Sequence, residues 1–400
     1  MDDGETFVAP GPDAPEPTGP KAAFPDGEMR AAVFYGVGER MRIERLPIPK
    51  PGPGEVLVRV AACGVCHSDL HVLRGEIAFP TPAVLGHEIS GTVAAVGPGV
   101  TAVAVGDRVV GTFILPCGRC EACAAGRDDL CENFFRYNRL AGRLYDGRSR
   151  LAFPDGRPIA MYSMGGLAEY AVLPETAVYR LPDGLPLHPS AVLGCAVMTA
   201  YGAVRHGGDV RPGETVAVVA VGGVGLNVVQ WARRFGARTV IAIDVEPAKL
   251  ELARRLGATE AVLAEDAREK VRAMTGGKGV DVAFEALGRP ETVELALSLV
   301  RDGGRLVAIG LAAGEAKAEV PITHLVRRGL SIRGSYGARV RQDLPTMLAL
   351  VADGAIDLAE TVTRVYDLAA VNAAYADLAA RKIAGRAIVR MAEGGESRDA

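Results

Sequence analysis

From about Thr215 the chain alternates short apolar runs with helical stretches, and this alternation restricts the fold more than any other feature. TVAVVAV (215–221) precedes a helical stretch through Trp231, TVIAID (239–244) precedes one around Ala248 to Leu256, and VDVAFEA (280–286) precedes one from Glu291, before GRLVAIG (304–310). Parallel strands need a long crossover, and a helix lying on one face of the sheet supplies it. The pattern therefore predicts an α/β fold with a doubly wound parallel sheet. A further apolar strand, LSIRGS, is expected near 330, and the chain then ends in helices and a short strand, AIVRM, expected to fold back onto the first part of the molecule.

The first of these strands runs into Gly222-Gly223-Val224-Gly225, and the second ends at Asp244, nineteen residues beyond Gly225. A glycine turn of this kind brings a helix N-terminus up to a pyrophosphate, while an acid at the end of the next strand binds the ribose hydroxyls. The segment thus predicts a dinucleotide site. A carboxylate at 244 would repel a 2′-phosphate and no arginine-rich alternative stands beside it, so NAD is expected rather than NADP. The first glycine position of the fingerprint is Ala220, which makes the turn itself the least regular part of the motif.

From Met29 onward AAVFYG, EVLVRVAACG and ISGTVAAVG, separated by Pro and Gly, read as strands of a separate β-rich domain. A chain of 400 residues with 49% hydrophobic side chains has enough apolar surface for two cores. Residues 1–28 differ: six prolines and seven acidic side chains against Lys21 alone predict a disordered tail. The net charge of -3 offers no footprint for nucleic acid. No apolar run reaches the roughly 20 residues a membrane span needs. The start, Met-Asp-Asp-Gly-Glu, has neither a basic nor an apolar stretch, and a cytoplasmic location is expected.

Four of the seven cysteines, Cys117, Cys120, Cys123 and Cys131, fall within fifteen residues. Four soft ligands on one loop suit a closed, tetrahedral, structural zinc site, and an exposed lobe with little core of its own would need that metal to fold. A redox C-x-x-C pair is the rival reading, but such a pair normally opens a helix in a thioredoxin-like unit, which the pattern lacks.

GVCHSDLH (64–71) and, about twenty residues later, Gly86-His87-Glu88 bring together a thiol, imidazoles and carboxylates. This donor set suits an open zinc site with a third ligand still to be found. Spacing alone leaves His87 open between a ligand and a hydrogen-bonded core histidine.

Taken together, GVCHSDLH, GHE, the four-cysteine lobe and GCAVMTAYGA (194–203) resemble, in order and spacing, the medium-chain zinc-dependent alcohol dehydrogenases over about 29–391. The resemblance implies a GroES-like catalytic domain of 29–195 and 337–400, and a Rossmann NAD-binding domain of 196–336. It implies two zinc ions per chain, the catalytic one held by Cys66, His87 and Cys195, a ligand set for which alcohol dehydrogenase is itself the standing example. That assignment leaves only Cys63 spare, in the apolar run VRVAACG. The zinc would lower the pKa of a bound alcohol so that hydride can pass to the nicotinamide, reversibly. The resemblance gives proton relay to Ser68, the cofactor ribose and His71, with turn-capping as the plainer role for Ser68. His67, Thr199 and Lys249 would meet the cofactor, although Lys249 could equally be a solvated helix lysine. Asp69 and Glu88 would orient His87 or tune the metal, and Ile77 and Phe113 would line the alcohol pocket or simply pack in the core.

The stretch GRLYDGRSRLAFPDGRPIAMYSMGGLAEY (142–170) resembles the long-loop branch of the family, which favours a homo-oligomer, a dimer before a tetramer. Apolar Ile77 argues for a hydrophobic or aromatic alcohol. Polyol or amino-alcohol dehydrogenases and glutathione-dependent formaldehyde dehydrogenases remain the alternatives, since Arg139, Arg143 or Arg150 could reach the cleft and meet a charged substrate.

Overall fold

The computed structural model describes residues 24–391. Six strands, Thr215–Val219, Thr239–Asp244, Glu260–Leu263, Val280–Glu285, Val300–Ala308 and Ser331–Gly334, form one sheet with every pairing parallel. Numbered along the chain, their order across the sheet is three, two, one, four, five, six. This is the doubly wound Rossmann arrangement, and its direction reverses between the first and fourth strands, where the crevice beyond their carboxyl ends is a binding place. Thr215–Val219 is buried at every residue, because helices cover both faces of a central parallel strand.

The earlier half of the chain supplies two further sheets, and together with the Rossmann sheet they give the predicted α/β architecture with a GroES-like β-rich part. In the larger one Glu55–Val65 is central, paired antiparallel with Ile89–Val96 and Tyr170–Pro174. The chain end does return there. Arg386–Arg390 pairs antiparallel with the same strand, Val389 opposite Cys63 and Ile388 opposite Gly64. Within the Rossmann part, Trp231 on the helix Gly223–Arg234 locks that helix to its neighbour. Its ring packs edge-on against Tyr201 at 5.0 Å and its Nε1 donates to the carbonyl of Val197 at 3.1 Å, both on the helix Ala196–Gly202.

Three elements depart from expectation. The disordered tail assigned to 1–28 falls mostly outside the described residues, but 24–28 are ordered: Phe24 packs on the core and the amide of Ile48 donates to Gly27 at 3.0 Å. One apolar ring and a backbone bond outweigh the local acidic composition. Val362–Asp367 is a strand that the sequence did not signal, since as an edge strand it is largely exposed and shows no apolar alternation. Phe134–Arg139 forms a π-helical turn, a local widening that periodicity does not reveal. Among the described residues no helix is long and apolar enough to cross a membrane.

Candidate metal centres and cofactor cleft

Cys117, Cys120, Cys123 and Cys131 converge with all four sulfurs within 4.8 Å of one another. Backbone amides aim at them: Cys120 N–H donates to Cys117 Sγ at 3.3 Å, Cys117 N–H to Cys131 Sγ at 3.3 Å and Phe134 N–H to Cys131 Sγ at 3.4 Å. Burial pushes the Cys117 thiol up. The N–H groups of Arg119 and Cys120 and the Asn133 amide outweigh it and bring the thiol down to about 6. A convergent set of thiolate sulfurs is the donor chemistry of a structural zinc. Arg341, from the helix Val340–Ala352, clamps the lobe to the body through Asp128 at 2.8 Å and the Cys123 carbonyl.

The second group is assembled from distant segments. Cys66 follows the strand Glu55–Val65 and caps the helix His67–Leu73, and Cys195 caps Ala196–Gly202. His87 follows Gly86, whose φ of +89° only glycine adopts easily and where a Cβ would strike Cys63 Sγ and the Leu167 amide at 2.7 Å. This contact also fixes Cys63 as a packing residue. Cys66, His87, Glu88 and Cys195 are all buried, with donor atoms within 4.8 Å of one another. The Cys195 hydrogen bond, the Arg386 guanidinium and the His87 ring pull the Cys66 thiol well below its ordinary value against the cost of burial. The set offers two sulfurs, one imidazole and one carboxylate.

Asp69 is fully buried and orients the histidine. It accepts from His87 Nδ1 at 3.1 Å, from the Gly86 amide at 3.0 Å and from Tyr375 Oη at 2.9 Å. Burial alone would lower His87, but the Asp69 carboxylate and the Cys66 thiolate raise it to about 10. Held by a carboxylate through Nδ1, the ring has the orientation in which metal-ligating histidines are fixed. Of the two roles expected of Glu88, its position fits tuning the metal: it lies among the donor atoms themselves and forms a buried ion pair with Arg386. Burial raises its carboxyl to about 7, with Arg386 opposing.

Arg386 is the residue that sequence reasoning missed most plainly. Its guanidinium also fills the space over Gly223, where a Cβ would meet it at 2.7 Å, so one side chain links the metal group to the glycine turn. A lone arginine some 300 residues from Glu88 carries no local signal. At the turn, Gly222 caps the helix Gly223–Arg234 without any side-chain bond, leaving N–H groups free for an anion. Ala220 holds φ at +69°, and a Cβ at Gly225 would strike its carbonyl oxygen at 2.2 Å. The turn therefore keeps the backbone shape of the glycine fingerprint although its first residue has a side chain. Asp244 accepts from the Val221 amide at 2.9 Å and lies 3.8 Å from Lys249 Nζ. His67 is pushed down to about 4 by burial, with Arg386, His71 and Lys249 acting in the same sense against Cys66.

Thr199, one turn after Cys195, has a buried hydroxyl with no partner. An orphaned hydroxyl, a bare helix end and an acid at the end of the next strand fit a dinucleotide cofactor. Ser68 Oγ lies 3.8 Å from Cys66 Sγ, and His71, one turn further on, bonds through Nδ1 to Glu76, a carboxylate that spacing did not flag. Phe113 faces the His87 ring at 6.1 Å. Ile77 is half-buried and packs at the edge of the same core, its amide on the His71 carbonyl at 3.2 Å. Tyr162, 5.5 Å from the His87 ring, and Tyr336, 5.4 Å from Phe113, complete an aromatic wall that no local pattern marked.

Known proteins agree with this geometry. A family model described as zinc-binding dehydrogenase matches residues 223–353, and one described as alcohol dehydrogenase GroES-like domain matches 52–183. The putative alcohol dehydrogenase D of Mycobacterium tuberculosis is 38% identical over 355 residues, covering 87% of this chain and 96% of its own. The chain belongs to the medium-chain zinc-dependent alcohol dehydrogenase superfamily. An S-(hydroxymethyl)glutathione dehydrogenase of Synechocystis is 37% identical to this dehydrogenase, over 87% of this chain and 96% of its own. The crystal structure of benzyl alcohol dehydrogenase from Acinetobacter calcoaceticus superposes with a TM-score of 0.85 at 29% identity, covering 92% of this chain and all of that one. This dehydrogenase is thus a zinc- and NAD-dependent oxidoreductase with two metal clusters and a Rossmann cofactor domain.

Proposed function

We propose that the chain oxidises an alcohol carbon to an aldehyde or ketone, reversibly, with NAD as hydride acceptor. The observation that carries this reading is the buried group of Cys66, His87 and Cys195 beside an aromatic wall and the orphaned Thr199 hydroxyl. Zinc held by those three residues would supply Lewis acidity to a substrate hydroxyl, and the nicotinamide would supply the acceptor. The chain's own residues do the remainder. Asp69 fixes the His87 ring through its Nδ1. Ser68 takes the proton at its Oγ and His71, held by Glu76, passes it outward. Phe113 and Tyr162 exclude water from the reacting carbon. His67, Lys249 and the Gly222–Gly225 turn hold the pyrophosphate and ribose, with Asp244 selecting NAD.

Phe113, Tyr162 and Tyr336 support a hydrophobic or aromatic alcohol, as does the structural likeness to a benzyl alcohol dehydrogenase. A second reading, an S-hydroxymethyl thiol adduct, is favoured by relatives 36–37% identical that bear that activity in their names. It also gains from the fate of the loop arginines. Arg150 is tied to Glu55 and Arg143 is exposed, but Arg139 is buried against Tyr162, so apolar Ile77 no longer argues against a charged substrate. An NADH absorbance assay across benzyl, aliphatic and polyhydric alcohols and a formaldehyde–glutathione mixture discriminates these readings. Absence of NADH with every one of them, in protein carrying two zinc ions, would overturn the proposal.

The division into 29–195 with 337–400 and 196–336 is kept as the working domain boundary. A homodimer joined along Ser331–Gly334 is proposed because that edge strand is exposed throughout and the neighbouring helix leaves Ile322 76% and Val326 72% exposed. A reducing cytoplasm suits seven unpaired thiols.

A further inference from the structure

Arg139 ends the π-helical turn Phe134–Arg139, an irregularity that often marks functional positions, and it is only 9% exposed. Its guanidinium carbon lies 4.4 Å above the Tyr162 ring, and Nε donates to Tyr336 Oη at 3.2 Å. Nη1 is buried without a hydrogen-bond partner, and so is Tyr162 Oη. Among the described residues no carboxylate forms an ion pair with Arg139. A cation–π contact and one phenol offset part of the cost of burying a charge, but a guanidinium with an unmet N–H and no counter-ion calls for an anion. Tyr162 touches both groups, its ring 5.5 Å from the His87 ring and 4.4 Å below the guanidinium carbon, which puts Arg139 on the same aromatic wall that flanks the Cys66, His87 and Cys195 group.

We propose that Arg139, with the Tyr162 hydroxyl beside it, binds a carboxylate on the substrate, making the preferred substrate a compact alcohol or aldehyde that bears a carboxylate. This rests on the alcohol-oxidation reading of the same site. Planar guanidinium donors match the two oxygens of a carboxylate, and a buried site built for that group rejects the neutral analogue because its own donors then go unmet.

The test uses the zinc- and NAD-loaded protein with matched pairs: 4-(hydroxymethyl)benzoate against its amide, and 3-hydroxypropanoate against its amide. For at least one pair kcat/KM is expected to favour the carboxylate by at least about tenfold, with the ratio collapsing toward one in Arg139→Met and partly restored in Arg139→Lys. A second arm, formaldehyde with glutathione, separates sources of the carboxylate. A loss of kcat/KM in Arg139→Met confined to the formaldehyde–glutathione mixture, with both matched ratios unchanged, would overturn the compact substrate. Calorimetric binding of benzoate against benzamide gives a readout that needs no turnover. If benzoate selectivity depends on Arg139 while no alcohol is oxidised, the alcohol reading fails and the anion site stands. A wild-type protein indifferent to the charge in both assays, or a variant that loses both members of each pair equally, would overturn the inference. The melting temperature of Arg139→Lys guards against mistaking misfolding for lost recognition.

Discussion

The two metal groups differ in how far apart in the sequence their ligands lie. The lobe gathers Cys117, Cys120, Cys123 and Cys131 from one loop, and neighbouring backbone amides set its sulfurs. The other gathers Cys66, His87 and Cys195 from three elements, and its supports, Tyr375 and Arg386, come from the far end of the chain. A site made of local spacing depends on its loop, whereas a site made by topology depends on the whole fold. The first should tolerate distant substitutions and fail as a unit; the second should be tunable through residues that never touch the metal.

The largest effect should come from Cys66→Ala, which is expected to lower turnover on the order of a thousandfold or more while one zinc and NAD binding persist, because Lewis-acid stabilisation is worth several kcal/mol. Zinc content and calorimetric NAD binding check it, and retained activity would remove Cys66 from the centre. Cys120→Ala should strike stability: loss of the lobe metal is expected to lower the melting temperature by on the order of 10 °C. An unchanged melting curve would break the contrast between the two groups. Asp69→Asn should sharpen the contrast. It keeps the volume but weakens the carboxylate that orients His87, so metal affinity or activity should fall by about 10–100-fold, measured by chelator competition, with the lobe zinc unaffected.

Smaller effects concern the cofactor turn. Asp244→Gly should move the NADP-to-NAD ratio of kcat/KM upward by about tenfold, equivalent to some 1.4 kcal/mol of lost repulsion. An unchanged ratio would mean that the carboxylate serves only to hold the amides of Val221, Val245 and Glu246. Ala220→Gly should raise stability by about 0.5–1 kcal/mol, since a left-handed backbone strains an alanine and leaves glycine at ease. A lower melting temperature would show that the alanine methyl has a packing role.

What could be read from the sequence follows the same division. The parallel sheet, the glycine turn with its acid and the cysteine lobe each lie within a few tens of residues, so periodicity and spacing reveal them. The catalytic ligands were accessible only through resemblance, because nothing local says that residues 66, 87 and 195 meet. Arg386, Tyr375, Tyr162 and Tyr336 stayed invisible, since each reaches the site across a sheet or through a turn that only tertiary packing defines. Glu88 was read from its place beside His87, but its partner Arg386 was not, because adjacency in sequence does not show which way a buried carboxylate points.

The pairing of Arg386–Arg390 with Glu55–Val65 has a consequence for biosynthesis. The Rossmann strands follow one another without interruption and can close as they leave the ribosome, but the older sheet waits for a partner made more than three hundred residues later. Until then the edge that Ala62 to Val65 will give to the final strand stays open, next to a thiol meant for metal. Competence to react thus arrives last, with the segment that also delivers Arg386 to Glu88.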